Sequence, residues 1–146
     1  MATTPASAAA VPPRPTSAIR RSRGVEIIVW TFQALLALVF LAHGGLLLYP
    51  PPEIAAQMNA SLPRSFWIVL GVAEVLAFFG LTLPALMRTF RWLMAWAAGG
   101  IMIVMVSATV YHVARRELSS AAITVVLLGM ATVVAQARRR DYPTRA

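Results

Sequence analysis

Residues 66–83 read FWIVLGVAEVLAFFGLTL, eighteen positions of which only Glu74 carries a charge. As a helix rising 1.5 Å per residue the run is about 27 Å long, close to the roughly 30 Å of a hydrocarbon core. Its apolar residues circle the helix completely, whereas a helix facing water keeps a polar side. Runs of the same kind lie on either side, at 25–49, 89–113 and 118–137. Together they predict an all-α protein, a four-transmembrane-helix bundle whose main partner is the lipid bilayer.

Composition agrees. Hydrophobic residues make up 59% of the 146-residue chain and charged residues 12%, too apolar a surface for a soluble monomer. The net charge of +8 does not point to nucleic acid, because the basic residues sit at the edges of the apolar runs, where lipid headgroups lie. All 13 basic residues are arginine, a bias expected of a GC-rich, bacterial coding sequence. Cysteine is absent, which excludes disulfides, thiolate nucleophiles, iron–sulfur clusters and covalently attached haem. No nucleophile elbow, zinc-protease motif, phosphate-binding glycine loop or paired carboxylates occur, so neither a metal site nor independent enzymatic activity is expected.

Arginine placement predicts the topology. The N-terminal tail (Arg14, Arg20, Arg21, Arg23), the second connection (Arg88, Arg91) and the C-terminal tail (Arg138, Arg139, Arg140, Arg145) fall on one side of a four-span chain. Arg64, Arg115 and Arg116 fall on the other. Ten against three places both termini in the cytoplasm of a plasma membrane. Residues 1–24, rich in Ala, Pro, Ser and Thr, are expected to be a disordered tail, and 138–146 a basic tail. Pro50, Pro51 and Pro52 end the first span, and Glu53–Ser61 suits a short interfacial helix. Leu83-Pro84 is expected to close the second span. Trp30, Trp67, Trp92 and Tyr111 suit interfacial positions, and Ala95, Gly99, Gly100, Ala131 and Ala135 suit close helix packing.

Glu74 is the group that most needs a partner, since an acid at mid-span costs about 2.5–3.5 kcal/mol on insertion scales. It must face the bundle interior or a wet cavity. With no arginine inside any expected span, Gln33 on the first span is its nearest match in depth. Two roles are open to Glu74: a structural interhelical hydrogen bond, or a proton-linked or ligand-binding carboxyl. His43 and His112, both in the outer half, form a weaker candidate pair for a b-type haem or a polar outer site. Their depths differ by about 6–7 Å, so a shared haem would need helix tilt.

The run Trp30–Gly44, with Gln33, together with Pro52-Glu53, resembles the first span of the DoxX-like family. Gly71-Val-Ala-Glu74-Val-Leu-Ala-Phe-Phe-Gly80-Leu81-Thr-Leu-Pro84 resembles its second span, an acid followed by Gly-Leu-x-Leu-Pro. The likeness covers about residues 25–140. Many relatives carry a lysine shortly after the glycine that closes the first span, where this chain has Leu46-Leu47-Leu48. The resemblance, which extends to the DoxD branch with its thiosulfate:quinone oxidoreductase subunit, implies an accessory or membrane-anchoring subunit of a redox system. A quinone contact near Gln33 and Glu74 and a partner subunit would follow from that. The alternatives are a non-catalytic scaffold or assembly factor, in which Gln33 and Glu74 are structural, and a small proton-linked transporter, for which four spans would call for a homo-oligomer.

Overall fold

The structure, a computed structural model, describes residues 22–87, 90 and 92–140, the Arg140 side chain excepted. Residues 1–21 of the tail expected over 1–24, the segment 141–146, and Arg88, Thr89 and Arg91 lie outside the described residues.

Five helices follow one another: α1 (Arg23–Leu48), α2 (Pro52–Ser61), α3 (Arg64–Met87), α4 (Trp92–Ala114) and α5 (Leu118–Arg140). α1, α3, α4 and α5 are each long and apolar enough to cross a membrane. Between 22% and 28% of their most apolar windows is buried inside the bundle, so the remaining apolar surface faces outward, toward lipid. This is an integral membrane protein.

α1 packs on α3 and α5, and α4 packs on the same two helices from the opposite side. The four spans therefore form a ring in which α1 and α4 are diagonal. Leu36, Ala37 and Phe40 from α1, Leu81 from α3, Ala98, Ile101 and Met105 from α4, and Ala131 and Val134 from α5 fill its centre.

The first connection bears out the expected short helix. Pro52 occupies the first helical position of α2, where a missing N–H loses nothing. α2 rests against α3, and the Trp67 indole donates to the carbonyls of Met58 and Leu62. Arg64, at the start of α3, donates to the carbonyls of Leu47 (2.7 Å) and Leu48 (2.6 Å), a cation on the negative end of α1.

Two expectations are corrected. Pro84 does not close the second span; α3 continues through it to Met87. A proline inside a helix removes one backbone donor and widens the turn behind it, and here the Gln33 side chain supplies a hydrogen bond to that turn at the Leu81 carbonyl (2.7 Å). Gly99 and Gly100 are not at a tight helix contact, for a Cβ on either would meet nothing within 4 Å. Close approach occurs instead at Gly44 and Gly71, between α1 and α3, and at Gly80 and Ala97, between α3 and α4. Ala131 is at the core.

Candidate functional site

Gly44 and Gly71 bring α1 and α3 together around Glu74. A Cβ on Gly44 would lie 3.0 Å from the Gly71 carbonyl oxygen and 3.1 Å from the Glu74 Cβ. At this crossing His43 Nδ1 lies 2.6 Å from Glu74 Oε2, a hydrogen bond whose donor depends on the tautomer. Glu74 is 2% exposed, whereas the His43 side chain is 52% exposed. The bond thus joins a buried carboxyl to an imidazole on the outside of the bundle. Glu74 Oε1 has no hydrogen-bond partner among the described residues.

Between α3 and α4 runs a groove of about 560 Å³, its lining including Glu74, Ala77, Gly80, Trp96, Gly100 and Ile101. Small side chains leave this volume open, and Phe40 of α1 also reaches it. The Gly80–Ala97 crossing sets the helix approach, since a Cβ on Gly80 would lie 2.7 Å from the Ala97 Cβ. Among the described residues, Glu74 is the only titratable one in the lining. Size and character fit a small-molecule site, apolar with one placed polar group.

Gln33 and Glu74 are both buried, but the structure does not pair them. Glu74 bonds to His43, and Gln33 is the hub of a second cluster. Its Nε2 donates to the Leu81 carbonyl on α3 and to Met94 Sδ on α4 (3.4 Å), and its Oε1 accepts from Arg138 Nε on α5 (2.9 Å). One amide on α1 thereby touches each of the other three spans.

Arg138 is the residue the sequence pattern missed. It was expected in the basic tail, yet α5 runs to Arg140 and the Arg138 side chain is 1% exposed. It donates to Glu26 Oε1 (3.0 Å) and lies 4.6 Å from the centre of the Trp30 ring. Trp30 therefore stacks on a cation as well as bordering lipid. A signal was present in the spacing. Glu26 precedes the buried stripe Val29, Gln33, Leu36, Phe40 by one turn, and Arg138 continues the stripe Ala131, Val134. An acid and a base on the inward stripes of the first and last helices are candidates for each other.

His112 lies apart from both clusters. Its Nδ1 meets Glu117 Oε2 at 2.7 Å, and Arg115 Nε meets Glu117 Oε1 at the same distance. Arg115 first, then His112, hold the Glu117 carboxyl below its ordinary value of 4.5. His43 and His112 stand on α1 and α4, and each holds a carboxylate of its own through Nδ1, Glu74 and Glu117 respectively. The remaining polar groups bond locally or across one interface: Thr109 and Thr124 hydroxyls meet at 2.8 Å between α4 and α5, and Ser107 and Thr132 donate to carbonyls one turn back.

No curated protein and no solved structure matches the chain. The model of the DoxX-like family matches residues 31–141, a stretch that takes in Gln33, His43, Glu74 and Arg138 and nearly all of the four spans. By that match the chain belongs to the DoxX-like family.

Proposed function

We propose that this protein is an accessory or membrane-anchoring subunit of a redox system, and that the α3–α4 groove binds a quinone-class ring beside Glu74. The observation that carries this is the carboxyl itself: nearly fully buried, tied to His43 through Oε2, unpartnered at Oε1, and lining an apolar groove. Glu74 lines the groove, where a polar headgroup with an apolar tail would give Oε1 a partner. By the arginine bias both termini lie in the cytoplasm of a bacterial plasma membrane, and the soluble redox partner docks on one of the two membrane surfaces.

The experiment is purification of the full chain in mild detergent, followed by mass spectrometry of the extracted lipids and of co-purifying proteins. Wild type is expected to carry a quinone in stoichiometric amount, and Gly100→Leu, which adds a side chain where a Cβ has open space, is expected to lose it. A second reading has one observation in its favour: the small residues lining the groove also suit the close approach of a partner's helix. A quinone-free protein with a membrane partner that cross-links to Gly100→Cys would make it a scaffold instead.

A further inference from the structure

We infer that the groove selects the hydroxylic, reduced form of its ring, because Glu74 offers it an oxygen that only accepts hydrogen bonds. This rests on the quinone-class reading above and names the form of the ligand that the site takes.

The 2.6 Å separation between Glu74 Oε2 and His43 Nδ1 requires one proton between them. A contact this short is that of a charge-assisted bond, so the proton sits on Nδ1 facing a carboxylate or is drawn onto Oε2 facing a neutral imidazole. An Nδ1–H held by the carbonyl of an acid protonated at Oε1 would give a longer one. Oε1 carries no proton in either case. It presents lone pairs alone, and it has no hydrogen-bond partner among the described residues. A ligand meeting it must donate. A hydroquinone O–H does so, whereas a quinone carbonyl would set lone pair against lone pair.

Little else in the groove offers a carbonyl a donor. Besides Glu74, Trp96 is the one lining side chain with a hydrogen-bonding group. Trp96 adjoins Ala97 in the chain, and Ala97 meets α3 at Gly80, six residues and so about 9 Å along the helix axis from Glu74. The requirement for a donor therefore falls on the end of the ring held at Glu74. His43 fixes this polarity by occupying Oε2, and its half-exposed ring is where the shared proton reaches the outside of the bundle.

The same chemistry is available from a non-redox lipid alcohol or phenol, so the test separates the sources. The purified full chain is titrated anaerobically with decylubiquinol, with decylubiquinone and with a long-chain alkylphenol, read by quenching of tryptophan fluorescence. Wild type is expected to bind the quinol at least about tenfold more tightly than the quinone, the scale of one lost hydrogen bond at a buried acceptor. That preference raises the midpoint potential of the bound couple by about 30 mV per tenfold. Displacement of the quinol by the phenol would show that the hydroxyl alone is read; failure of the phenol to compete would assign the site to the redox ring. Both results support an acceptor at Glu74. Glu74→Gln, which supplies a donor as well as an acceptor, is expected to bring the two affinities together. Gly100→Leu keeps the Glu74–His43 pair and is expected to abolish binding of both forms. Equal affinity for quinol and quinone in wild type, or tighter quinone binding, overturns the inference while leaving the quinone site standing. Binding of no ring at all overturns the site itself.

Discussion

Gly80 illustrates how much one missing methyl decides in a lipid-facing bundle. Its Cα faces Ala97 so closely that a Cβ would lie 2.7 Å from the Ala97 Cβ, so any side chain must push α3 from α4. Overpacking of this kind typically costs about 1–3 kcal/mol. Gly80→Ala is expected to lower the melting temperature in detergent, and Ala97→Gly in the same chain to restore most of the loss, because it removes the atom that clashes. An unrescued double variant would mean that Gly80 matters for some other reason. Gly99 and Gly100 look the same in sequence, but a Cβ has open space at each. Their alanine variants are expected to be neutral or slightly stabilising, by no more than about 1 kcal/mol, through helix propensity alone. Glu74 shows the same dependence on surroundings. What it does is set by a histidine on another helix and by the two glycines that allow the helices to meet.

Each connection has its own local means of ending one helix and starting the next. α4 closes with Arg116 in the left-handed region at φ 60°, its N–H donating to the Val113 carbonyl and that of Glu117 to the His112 carbonyl. This doubled bond satisfies carbonyls that the helix end leaves open. Glu117 then draws Arg115 and His112 onto one carboxylate at the turn. Its depressed pKa makes the turn sensitive to acid. Because the folded value lies below the ordinary 4.5, the stabilisation is complete above that value and is lost as pH falls through the folded one. Melting in detergent should accordingly show a drop on acidification below 4.5 that is smaller in Glu117→Gln. An identical drop in both proteins would remove Glu117 from the account. The carboxyl is exposed, so the effect is expected to be modest and to shrink with added salt. At Pro84, by contrast, α3 passes on without ending, and Gln33 donates to the Leu81 carbonyl in the turn before the ring.

Taken as a whole, the bundle is a ring of four helices closed between its first and last spans. Among the described residues, the α1–α5 seam carries the one buried cation, Arg138, held by Glu26 and Gln33 and stacked on Trp30. Through Gln33 the same cluster reaches Leu81 on α3 and Met94 on α4, so all four spans meet in it. Arg138→Ala strips a hydrogen bond from the buried Gln33 amide and a cation from Glu26. Breaking a fully buried pair costs about 3–5 kcal/mol, but Glu26 is 39% exposed, which brings the expectation down to about 1–3 kcal/mol. Thermal unfolding of Arg138→Ala beside Arg139→Ala, its exposed neighbour, checks this: only the first is expected to melt early. Equal melting temperatures would place the closing force of the ring elsewhere.

Class, span number, the helix after the prolines and the inward position of Glu74 were legible in the chain alone. Each depends on local properties: the length of an apolar run, the charge of a side chain inside it, the missing donor of a proline. The family likeness in Gly71–Pro84 was legible for the same reason. Which polar groups meet was not. Gln33 and Glu74 agree roughly in depth, but depth is one coordinate, and rotation about each helix axis is set by contacts between distant residues. Those contacts turn Glu74 toward His43 and Gln33 toward Arg138, and they draw an arginine from an apparent tail into the interior. Hydrophobicity decides that a segment enters lipid and how far it extends. Where the perimeter is apolar on every side, it cannot decide which face turns inward, and that choice falls to close packing at a few glycines and to the pairing of the few polar groups that lipid will not solvate.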